Sequence, residues 1–155
     1  MSQNKRSPNS RSRARSAARL AAVQALYQRH MEKTALAKLL DEFHQHRLGA
    51  EIEDEQYEDA EVEFFDDVVS GVVARQVEID TLLTGRLAEG WTLLRLDKTM
   101  LQILRCGAYE LLARADVPMA TAISEYVDVA HAFFDQREAK FVNGVLDGVA
   151  KEVRA

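Results

Sequence analysis

The two prolines of this chain, Pro8 and Pro118, leave nearly its whole length open to unbroken helix. No stretch alternates apolar and polar residues as a half-buried strand would. Apolar residues instead return at intervals of three and four. Leu36, Leu39, Leu40 and Phe43 do so, followed by Phe65, Val68, Val69, Val72, Val73 and Val77. The same period carries Met100, Ile103, Leu104, Gly107, Ala108, Leu111 and Leu112, then Met119, Ala122, Ile123, Tyr126, Ala130 and Phe133. The pattern predicts an all-α fold of about seven helices, arranged as two small packed three-helix bundles. The first helix is expected over residues 11–31, with Leu20, Val23, Leu26, Tyr27 and His30 facing inward. Thr34 suits the N-cap of the second and Asp80 that of a fourth running to about Gly90. Pro118 suits the first turn of the sixth. Residues 1–10 read as a disordered basic arm before a single helical domain over 11–155.

The stretch AKFVNGVLDGVA, residues 139–150, contains the sharpest local conflict. Phe141, Val142, Val145, Leu146 and Val149 share one helical arc, with Gly144 and Gly148 stacked at its edge and Lys140, Asn143 and Asp147 opposite. Each glycine costs about 1 kcal/mol of helix propensity against alanine, so the pair is expected where another helix or a bound chain comes close. Asn143 calls for something polar beside it.

Chemistry of the catalytic kind finds little to work with. The four histidines, His30, His44, His46 and His131, make no metal-binding pair at helical spacing, and no glycine-rich phosphate loop or nucleophile motif occurs. The lone Cys106 lies among Ile103, Leu104 and Leu111, where a buried, inert thiol is expected. The expectation is a non-enzymatic binding protein with no cofactor and no metal. No apolar run approaches the length of a membrane span, and the N-terminus has no apolar signal segment, so a cytoplasmic location is expected.

Charge is distributed unevenly. The net charge of −5 argues against a nucleic-acid partner, yet residues 1–19 contain Lys5, Arg6, Arg11, Arg13, Arg15 and Arg19 and no acid. All 25 acidic side chains lie beyond them, ten between Glu51 and Asp67. A basic arm on an acidic body points to a polyanion, with a solubilising tail as the alternative. Arg11, Arg15 and Arg19, four apart, form a stripe along the first helix with a rise of about 6 Å per step. Tyr27 further along the helix could stack a base, as single-stranded RNA sites do.

Four segments together, RSAARLAAVQALYQ, LRCGAYELL, DVPMATAISEYVDVAHAF and KFVNGVLD, resemble the NusB family of transcription antitermination factors over about residues 11–153. The resemblance implies two helical bundles and a role without catalysis. It implies binding of boxA-type single-stranded leader RNA together with a small-subunit ribosomal protein acting as NusE, within an elongating RNA polymerase complex containing other Nus factors. RNA-binding residues carried over by it are Arg11, Arg15, Arg19, Tyr27, Phe141, Lys140 and Asn143, and Arg13 of the same basic stretch is expected to join them. Many relatives have nearly consecutive arginines, whereas RSRARSAARL spaces them with serine and alanine. Self-association in some relatives adds a homodimer to the expected partners. A related domain precedes the catalytic part of certain ribosomal RNA cytosine methyltransferases, so a partner of such an enzyme and a plain protein-interaction domain stay open as alternatives. The end at Ala155 favours the stand-alone factor.

Overall fold

The computed structural model describes residues 8–45 and 59–154, with side chains from Ser12 and again from Glu61. Every regular element among them is helical: α1 Pro8–Glu32, α2 Leu36–Phe43, α3 Asp59–Ala74, α4 Gln76–Thr84, α5 Lys98–Ala113, α6 Met119–Phe133 and α7 Gln136–Val153, with a 3₁₀ turn at Leu93–Arg95. The chain divides into two compact units, with the boundary between Asp67 and Val68 inside α3. Residues 1–7 of the expected arm and residues 46–58, which contain five of the ten acids between Glu51 and Asp67, lie outside the described residues.

In the first unit, α1 begins at Pro8, three residues earlier than expected, in keeping with proline's fitness for a first helical turn. Its inward face is largely alanine: Ala14, Ala18, Ala21, Ala22 and Ala25 are buried beside Val23 and Leu26. Tyr27 and His30, expected on that face, are exposed instead. Helix α1 stops at Lys33, whose φ of 56° is left-handed, a conformation that ends helices and that costs a non-glycine residue about 1–2 kcal/mol. Thr34 does not cap α2; Ala35 precedes it without any side-chain cap. Leu39 and Phe43 of α2 are buried, and Phe43 stacks on Phe65 of α3 with ring centroids 5.7 Å apart.

The second unit is built on mutual packing of α5, α6 and α7, with α4 against α5. Asp97 caps α5 by accepting from the backbone N–H groups of Thr99 at 2.8 Å and Met100 at 3.2 Å. Buried Tyr126 of α6 donates its hydroxyl proton to the buried Glu110 carboxylate of α5. Asp80 is not a cap. It lies inside α4, where both its oxygens accept from the Arg105 guanidinium of α5, at 2.9 and 2.8 Å. Val77, expected in the core, is 84% exposed at the start of α4. Met119 and Phe133, at the two ends of the α6 stripe, are also largely exposed. Arg154, just past α7, donates to the carbonyl oxygens of Glu110, Leu111, Arg114 and Val117 at the end of α5 and in the link that follows.

Close helix approach does occur, at a different glycine from the one expected. A Cβ on Gly107 of α5 would lie 2.6 Å from Leu146 of α7, whereas one on Gly144 would have nothing within 4 Å. At Gly148 the neighbour is the flexible Arg86 side chain, 2.8 Å away at Cδ. Gly144→Ala is therefore expected to stabilise the chain by up to about 1 kcal/mol, a rise in Tm of about 2–4 °C for a chain of this size. A thermal melt showing reduced stability would mean that something does approach this face.

Candidate nucleic-acid interface

Two surfaces contain the residues singled out by sequence, one in each unit. On the first, the arginines of α1 divide in their roles. Arg13 is exposed, and Arg15 is half-buried with its guanidinium 4.3 Å over the ring of Phe64. Arg19 does not extend an exposed stripe: it is 3% exposed, 5.0 Å from that same ring. The side chain of Arg11 lies outside the described residues, although its backbone is part of α1.

Phe64 belongs to α3, whose acidic Glu61 one turn earlier is likewise buried, and neither Arg19 nor Glu61 is without a partner. Stacking on an aromatic face contributes about 0.5–2 kcal/mol per cation, depending on desolvation. It also restricts the rotamers of Arg15 before any ligand arrives. The local chemistry is an ordered cation beside a freely solvated one, at the start of a helix with no acid in its first turn. Tyr27, 39% exposed farther along α1, presents part of its ring to solvent.

On the second surface, the KFVNG segment lies within α7, and the helix sends its residues to two different recesses. Lys140 and Asn143 are exposed. Asn143 borders a shallow recess with Met119, Ile123 and Ser124 of α6. Phe141 is half-buried and lines another groove, of about 480 Å³, with Trp91, Met100 and Phe134. Trp91 carried no sequence signal beyond its being the only tryptophan, set after Gly90 in a stretch without period.

No grouping of metal-ligating side chains occurs among the described residues. Burial pushes the Cys106 thiol well above its ordinary pKa, and the nearby Glu110 carboxylate adds to this while Arg105 opposes it. The thiol stays protonated and is a poor nucleophile. No helix among the described residues is long and apolar enough to cross a membrane.

The described residues make an all-helical protein whose first helix carries an arginine held over an aromatic ring. The family model described as the NusB family matches residues 16–151, and the chain belongs to that family. The transcription antitermination protein NusB of Novosphingobium aromaticivorans is 73% identical over 142 residues, which make up 92% of this chain and 96% of that protein. A solved structure of T. maritima NusB is 33% identical with a TM-score of 0.75, covering 89% of this chain and 91% of its own. A structure of antitermination factors NusB and NusE in complex with dsRNA shares the fold at a TM-score of 0.72 and 24% identity, covering 90% of this chain and 98% of its own.

Proposed function

We propose that this chain is an RNA-binding transcription antitermination factor that acts by assembly and not by catalysis. It engages boxA-type single-stranded leader RNA jointly with the ribosomal protein that serves as NusE, within the elongating RNA polymerase complex and its other Nus factors, in the cytoplasm. The observation carrying this reading is membership of the NusB family, with a match spanning residues 16–151. In keeping with it, the N-terminal part of α1 presents basic side chains on a chain that is acidic overall. Arg13 and Arg15 meet phosphates, Arg15 being held ready by Phe64. Tyr27 stacks a base, while Lys140, Phe141 and Asn143 engage the RNA from α7.

The test is titration of labelled boxA-like RNA, with and without the NusE protein, over a range of salt. Arg13→Ala combined with Arg15→Ala should weaken binding and lower the slope of log affinity against log salt by about 0.7 for each phosphate no longer neutralised. Thermal stability should fall by no more than the stacking of Arg15 contributes, about 1 kcal/mol. A slope equal to that of the native chain would remove both arginines from the interface. Absence of binding by the native chain, with NusE present, would overturn the RNA reading itself.

A further inference from the structure

Gly148 costs α7 helix propensity, and the side chain that stands over it comes from another part of the unit. Measured from the place a Cβ would occupy, Arg86 has Cδ at 2.8 Å, Nε at 3.3 Å and Cγ at 3.4 Å. Three consecutive atoms of the arginine thus lie across bare helix backbone, where a larger residue would push them off. Beyond the glycine the guanidinium reaches the next turn of α7, and its Nη2 donates to Glu152 Oε1 at 2.9 Å. Arg86 belongs to the link between α4 and α5. A side chain of that link is therefore strapped onto the end of α7.

Apolar burial does not fix the link in place, since no residue from Thr84 to Arg95 is buried. Inside it, Arg95 lies 4.9 Å over the Trp91 ring and donates to the Gly90 carbonyl at 2.9 Å. At its far end Asp97 caps α5. The link also supplies Trp91 and Arg95 to the groove that Phe134 and Phe141 line from the other side. Phe141 and Gly148 are seven residues apart, which puts them on one face of α7, about 10 Å from each other along the axis. The strap holds the link to the same helix face that presents Phe141.

We propose that Arg86 is a positioning residue for RNA binding: seated on Gly148 and paired with Glu152, it sets how far the link stands from Phe141. The proposal rests on the RNA reading above, in which Phe141 engages the strand, and adds a residue that touches no RNA itself. An exposed ion pair is weak alone, but here the arginine's stem packs along the glycine while its charged head stays in water. Glycine at position 148 then serves the link and not the helix. Gly148→Ala should separate two properties that a purely structural contact would move together. Helix propensity improves, while Arg86 loses its seat.

Trp91, the chain's sole tryptophan, reports on the link in the free protein. Gly148→Ala and Arg86→Ala should each make its emission easier to quench with acrylamide, and Gly144→Ala, on a face with nothing near it, should not. Binding of labelled single-stranded boxA-like RNA, with the NusE protein present, should weaken about threefold in both strap variants, within the range an exposed ion pair contributes. Melting of Gly148→Ala should stay at or above that of the native chain. Arg86→Lys should keep near-native affinity, because Glu152 accepts a single bond and a lysine stem can also cross the glycine. Native quenching or native RNA affinity in Gly148→Ala would overturn the proposal. So would weaker binding with a matching loss of melting temperature, the mark of a plain structural contact. If the native chain binds no RNA, the RNA reading and the proposal fall together, whereas failure of the strap alone leaves native binding intact.

Discussion

Arg154→Ala should lower the stability of the second unit by about 3 kcal/mol, even though the residue is the next to last of the chain. The guanidinium donates at 2.8 Å to Leu111, 2.7 Å to Val117, 3.1 Å to Glu110 and 2.8 Å to Arg114, in each case to a backbone carbonyl. Hydrogen bonds to a charged group contribute about 1.5–3 kcal/mol each, and four to one side chain do not add. The positive charge also lies at the negative end of the α5 dipole. At about 2–4 °C per kcal/mol for a chain of this size, Tm should fall by several degrees. Arg154→Lys should recover only part of the loss, because an ammonium cannot reproduce the planar fork. A melt unchanged by Arg154→Ala would show that the carbonyls are equally well served by water.

The second large effect is expected at Asp80. Its carboxylate meets Arg105 through two parallel bonds, and the Arg105 side chain is only 9% exposed against 26% for Asp80. Asp80→Ala leaves the more deeply buried charge without its counterpart, for which a cost of about 3 kcal/mol is expected, at the low end of the range for broken buried pairs because Asp80 is partly solvated. The double variant Asp80→Leu with Arg105→Met should regain most of that stability, since apolar replacement of a whole buried pair is often neutral. Equal destabilisation in the single and double variants would mean that packing, and not charge, is what Asp80 supplies.

Much of the helical architecture was legible because apolar side chains repeat strongly from α2 onward. Leu39, Phe43, Val68, Val72, Ile103, Leu104, Ile123, Val145 and Val149 are buried as their spacing requires. Alanine carries a weaker signal, and so the inward face of α1 was misplaced: Ala14, Ala18 and Ala22 are buried where Tyr27 and His30 were expected. Spacing also gives angle without environment. Arg15 and Arg19 are one turn apart, as an exposed stripe needs, but the ring of Phe64, distant in sequence, draws Arg19 into the interior. Gly107 and Gly144 each sit beside apolar positions of their own helix, and only the partner helix decides that Leu146 presses on the first and nothing on the second. Trp91 was silent because a groove wall formed by a link has no period to detect.

The placement of Cys106 gives the molecule a built-in clock. It is the chain's only thiol and has no exposed surface, in the middle of α5. A thiol reagent can reach it only through molecules whose second unit has opened, so modification proceeds at the rate or the population of opening, according to which step is slower. Labelling in native buffer then follows the exposure of that unit without denaturant. A ligand that holds α5 and α7 together would slow the labelling, whichever surface it occupies.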